Sequence, residues 1–89
     1  MPTKADLEKP IIPDQILDCI GLYCPVPVFN AMEEMNKLDA GQILEMLTDD
    51  PAALEDIPRW AKRTGHLILK VQKEGNKIHF FIKKQEPKL

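Results

Sequence analysis

No stretch of this 89-residue sequence is apolar for long enough to cross a membrane, which argues against membrane insertion. The N-terminal residues MPTKADLEKPIIPDQ lack the apolar run of a signal peptide, and three prolines interrupt them. Only four glycines are present and none forms a phosphate-cradling loop. Metal ligands are scarce as well. Two cysteines spaced C-x4-C are too few and too oddly placed for a structural zinc site, and the two histidines, His66 and His79, read as solvated strand residues. No Ser/His/Asp set stands where a fold would gather it. An excess of one charge is missing too: 12 Lys and Arg against 14 Asp and Glu leave a net charge of −2, without the basic footprint of a nucleic-acid binder. The expectation is therefore no metal, no cofactor, no direct contact with nucleic acid and no membrane insertion.

What is present suits one small domain, with 44% hydrophobic and 29% charged residues. Residues 1–14 read as a flexible arm, 15–85 as the domain and 86–89 as a tail. With no secretory signal, both cysteines are expected reduced in the cytoplasm. Charge is mildly segregated, acidic in EMLTDDPAALED (45–56) and basic in KIHFFIKKQEPKL (77–89), a pattern of solvated faces or of a docking surface.

Ile16–Ile20 is a short apolar strand that Gly21 breaks. From Pro25 to Leu38, Val28, Ala31, Met32, Met35 and Leu38 recur at helical spacing, with Glu33, Glu34 and Lys37 opposite. Asp39-Ala40-Gly41 stops this helix and Gln42–Thr48 forms a buried second strand. Asp49-Asp50-Pro51 signals a helix start, with Asp50 as cap and Pro51 at the first position. That helix carries Leu54, Ile57, Trp60 and Ala61 on one face, bends at Pro58 and ends at Gly65. Leu67, Leu69 and Val71 alternate with polar or outward positions, as do Ile78, Phe80 and Ile82, around a turn at Glu74-Gly75-Asn76. The order β-α-β-α-β-β predicts an α/β two-layer sandwich, in which two helices cover one face of a mixed four-stranded sheet.

Chemistry then falls to cysteine. Cys24, in GLYCPVPVF (21–29), is expected at the N-cap of the first helix, with Pro25 at the first helical position. There the helix dipole and the N–H groups of Val26 and Val28 favour a thiolate, while Pro25 and Pro27 stiffen the turn. A buried, inert Cys24 that merely starts a helix is the plainer alternative. Cys19, within the first strand, reads as a packed thiol or as a resolving partner for Cys24.

Together LDCIGLYCPVP (17–27), LDAG (38–41), DDPAALEDIPRWAKRTGH (49–66) and IKK (82–84) resemble the TusA/SirA family of small sulfur-carrier proteins, over residues 16–84. The resemblance implies the same β-α-β-α-β-β fold. It also implies that Cys24 of the C-P-x-P motif bears a persulfide, received from a cysteine desulfurase or another sulfur donor and passed to a downstream acceptor. No cofactor is implied, and a monomer is expected. Pro25 and Pro27 match the family's rigid step. Gly21, Asp18 and Asp50 fall on its pattern, Asp50 as a helix cap and Asp18 as a residue that orients the Gly21–Cys24 loop. Val26 stands where several tRNA-thiolation carriers have Glu, which leaves tRNA thiolation one pathway among several. The competing reading is a redox-sensitive interaction module that uses a reversible Cys19–Cys24 disulfide.

Overall fold

The computed structural model describes residues 11–23 and 25–85, so expectations for residues 1–10, Cys24 and residues 86–89 lie outside the described residues. The described elements are β1 (Gln15–Asp18), α1 (Val26–Lys37), β2 (Ile43–Thr48), α2 (Ala53–Thr64), β3 (Leu67–Glu74) and β4 (Lys77–Lys83), in the expected order. The sheet runs β1-β2-β4-β3. β1 and β2 are parallel, while β4 is antiparallel to both β2 and β3, so the sheet is mixed as expected. Asp14 extends the β1 edge: its N–H donates to Ile43 O at 2.8 Å, and its Oδ2 accepts the Ile43 N–H at 2.8 Å.

Strand alternation sets the core. Leu44, Met46 and Thr48 of β2 and Ile78, Phe80 and Ile82 of β4 are buried, and all but Thr48 join the apolar cluster of Ala31, Met35, Ala53, Ile57, Trp60 and Ala61 from the helices. Thr48 is satisfied in place, its Oγ1 accepting the Asp50 N–H at 3.2 Å. The opposite sheet face carries Glu45, His79 and Phe81; Glu45 pairs across the strands with Phe81, and His79 Nδ1 lies 3.7 Å from Glu45 Oε2.

Two packing expectations need correcting. Met32 points outward, and Pro27 takes the inward position with Ala31 and Met35, because these three recur every four residues along one line of the helix and that line faces the core. In β3, Ile68 packs on the core while Leu67, Leu69 and Val71 are exposed. A bulge between Ile68 and Lys70 shifts the register, pairing Lys70 with Phe81 and Val71 with Phe80.

α2 runs through Pro58 and ends as expected at Gly65, in a left-handed conformation with φ 85°. The chain then turns His66 against Trp60, with ring centroids 5.5 Å apart. Burial, with the nearby Lys84 charge adding to it, holds the His66 imidazole below its ordinary value of 6.5. A histidine whose folded pKa is depressed binds fewer protons folded than unfolded. Its contribution is therefore intact above about pH 6.5 and is lost as pH falls through the lower folded value. His66→Gln is expected to flatten the decline of Tm between about pH 6.5 and 5, measured by thermal melts across that range.

Candidate functional site

The loop between β1 and α1 holds the thiol that the sequence singles out, and its first half is tightly bonded. β1 stops at Asp18 rather than at the expected Ile20, because Asp18 Oδ1 accepts the Ile20 N–H at 2.9 Å and turns the chain. The Cys19 N–H still donates to Leu47 O at 2.8 Å, and the Leu22 N–H donates to Cys19 O at 3.1 Å, closing a turn over Ile20 and Gly21. Gly21 has φ 83°, which side chains avoid in such turns. Its N–H donates to Asp49 Oδ1 at 3.0 Å, a bond between residues 28 apart. Sequence reasoning missed Asp49. The available signal was two successive aspartates before a proline, where one suffices to start a helix.

The second half begins at Pro25, and here an expectation fails. Pro25 is itself the N-cap, Val26 opens α1 and Pro27 follows it. The Val26 N–H donates to Tyr23 O at 3.0 Å, and the N–H groups of Val28 and Phe29 donate to Pro25 O at 3.1 and 3.2 Å. The two donors expected to serve a sulfur atom are thus engaged by backbone carbonyls. Pro27 fits the observed start: in the first turn its missing N–H costs nothing, and its fixed φ suits the helix. The helix macrodipole remains, with partial positive charge at this end. Cys24 itself lies outside the described residues.

Around the loop the surface is apolar and acidic. Tyr23 is 75% exposed and Phe29 55%, with Val26 and Met32 exposed beside them along α1. Between residues 11 and 36 there is no Lys or Arg, whereas Asp14, Asp18, Glu33 and Glu34 all fall there.

Cys19 sits in a different environment. It is a free cysteine with no exposed surface, within the core. Burial pushes its thiol above the ordinary value; a side-chain hydrogen bond with Asn30 works against that shift and the Asp18 charge adds to it. Such a thiol is a poor nucleophile at neutral pH.

At the start of α2, Asp50 does not occupy the formal N-cap, which is Ala52. A leading turn explains the difference. Asp50 Oδ1 accepts the Ala52 N–H at 3.0 Å and Asp50 O accepts the Ala53 N–H at 3.0 Å, so Asp50 caps a tight turn that runs into the helix.

This arrangement, a parallel β-α-β unit whose first loop carries C-P-x-P and is tied to D-D-P, can be set against known proteins. The sequence model of the family described as Sulfurtransferase TusA matches residues 15–84. The chain belongs to the TusA family. The sulfur carrier protein TusA of Allochromatium vinosum is 41% identical over 71 residues, covering 80% of this chain and 93% of its own length. The TusA relative YedF of Escherichia coli K12 is 38% identical over 76 residues, 85% of this chain and 99% of its own. The TusA fold is shared with a crystal structure of a SirA-like protein from Desulfitobacterium hafniense, with a TM-score of 0.71 at 24% identity over 81% of this chain and 99% of that one. As in that comparison, the chain places two helices on a four-stranded sheet. No helix among the described residues is long and apolar enough to cross a membrane.

Proposed function

We propose that this chain, a sulfur carrier like its family, takes up sulfane sulfur as a persulfide on Cys24 and hands it to an acceptor protein. The Cys24 thiolate attacks the outer sulfur of a donor persulfide. The donor's S–S bond breaks, the donor thiolate leaves with the electron pair, and a Cys24 persulfide forms with no external oxidant. Delivery repeats the step with the chain as donor. The observation that carries this reading is the start of α1: a cysteine directly ahead of a helix whose first turn is fixed by Pro25 and Pro27. Pro25, Pro27, Gly21 and Asp18 serve it by shaping the backbone before and after residue 24, and Asp50 by starting α2, whose leading loop bonds to Gly21. The redox alternative is disfavoured, because Cys19 is buried and its thiol is pushed up.

Incubation with a cysteine desulfurase and free cysteine, followed by intact mass and peptide mapping, tests the reading. One added sulfur on Cys24 is the expected result, and an unmodified Cys24 with every donor tried would refute it.

The donor is expected to be a protein that meets the apolar surface of Tyr23, Val26, Phe29 and Met32. Burying a Phe side chain is worth about 1.5–3 kcal/mol, and about 1.4 kcal/mol is a factor of ten in affinity. Phe29→Ser should therefore raise KM for a desulfurase about tenfold and leave loading by inorganic polysulfide unchanged. Equal loss with both donors would place Phe29 in the fold rather than in docking.

A further inference from the structure

We propose that Asp49 is the positioning residue of the transfer loop, holding the Gly21–Tyr23 segment that leads to Cys24 through the Gly21 N–H. The proposal rests on the reading of Cys24 as the sulfur-bearing thiol. Asp49 and Gly21 lie in the loops that follow two adjacent parallel strands, β2 and β1. Their 3.0 Å bond joins the segment that leads into Cys24 to the segment that starts α2.

The side chain of Asp49 is not needed to start that helix. Asp50 already accepts from Ala52 and Ala53, and Thr48 Oγ1 already accepts the Asp50 N–H. The Asp49 carboxylate reaches back to Gly21 instead. Glycine has the most backbone freedom to lose, and this one is held at φ 83°. On the Gly21 side, the turn is closed within itself by Leu22 N–H to Cys19 O and by Ile20 N–H to Asp18 Oδ1. The Cys19 N–H to Leu47 O bond anchors the start of this turn on β2, and Asp49 adds the side-chain tie that fixes its Gly21 corner to the α2 loop. Releasing it frees the Gly21 corner of the turn that leads into the Cys24 position.

Alkylation of Cys24 by iodoacetamide as a function of pH separates the possible roles. If Asp49 positions the loop, Asp49→Ala frees the turn ahead of Cys24 and raises the apparent pKa of that thiol. A rise of one unit gives roughly tenfold slower alkylation at a pH below both pKa values. Asp49→Asn keeps a carbonyl acceptor at the same reach and should stay at or below the wild-type pKa, while the Gly21 amide keeps its hydrogen-exchange protection. If Asp49 acted only as a negative charge, Asp49→Ala would lower the pKa, because a like charge disfavours the thiolate. If it were only structural, Asp49→Ala would lower Tm and leave the pKa where it was. Either of these results overturns the proposal. Should the alanine variant not fold, Asp49→Ser repeats the test with a small polar residue in the turn. Polysulfide loading of the wild-type chain is run alongside. Its failure would strike the persulfide reading, while the order of pKa values still decides the role of Asp49.

Discussion

A Cys24→Ser variant is expected to accept no sulfur from either a desulfurase or polysulfide, while Cys19→Ala accepts one equivalent as the wild type does. The contrast follows from the two environments. A serine hydroxyl does not ionise near neutral pH and cannot form the S–S bond, so the loss should be at least about a thousandfold, as for removal of other covalent nucleophiles. Cys19 has no exposed surface and a thiol pushed up by burial, which keeps it out of exchange in the folded protein. Intact mass after a short incubation reads both variants. Sulfur found on Cys19 in the Cys24→Ser variant, with the fold intact by circular dichroism, would mean that the core opens around β1 and would revive the two-cysteine redox module.

The largest loss of stability is expected at Trp60. Its side chain is 2% exposed, in the cluster with Ile57, Phe80 and Ile82, and its ring meets His66. Truncating a buried Trp to Ala costs about 3–5 kcal/mol, against a total of about 5–15 kcal/mol for an ordinary domain. At about 4–8 °C per kcal/mol for a domain of this size, Trp60→Ala should lower Tm by roughly 12–40 °C. Trp60→Phe keeps an aromatic ring against His66 and should lose well under half as much. Thermal melts of the two variants at one pH check the ranking, and equal losses would show that ring volume is not what Trp60 contributes.

Much of this architecture was legible because it depends on short-range periodicity. The alternation of Ile78, Phe80 and Ile82 with His79, Phe81 and Lys83 turns those three toward the helices, and the apolar run 42–48 reads as the buried strand beside them. Gly65 stops α2 for a reason local to its own backbone. The first turn of α1 was less legible, since Pro25-Val26-Pro27 permits a proline at either of two early positions with little difference in energy. With α1 starting at Val26, the N–H groups of Val26 and Val28 are spent on Tyr23 O and Pro25 O. The bulge at Leu69 and the Asp49–Gly21 bond were illegible for another reason. Both are set by what lies across the sheet or in a neighbouring loop, and no local spacing encodes that. For the site, the thiol and its prolines were evident in nine residues, but the residue that braces the loop was not.

The bulged β3 has a consequence for how the protein behaves at high concentration. β3 is an eight-residue sheet edge with Leu67, Leu69 and Val71 exposed, a template on which another copy would otherwise stack strand to strand. The bulge between Ile68 and Lys70 interrupts the regular row of edge donors and acceptors, and Lys70 and Lys73 would face like charges in a self-paired ribbon. The other edge, β1, is only four residues long. Both borders of the sheet are thus blunted against strand-to-strand polymerisation.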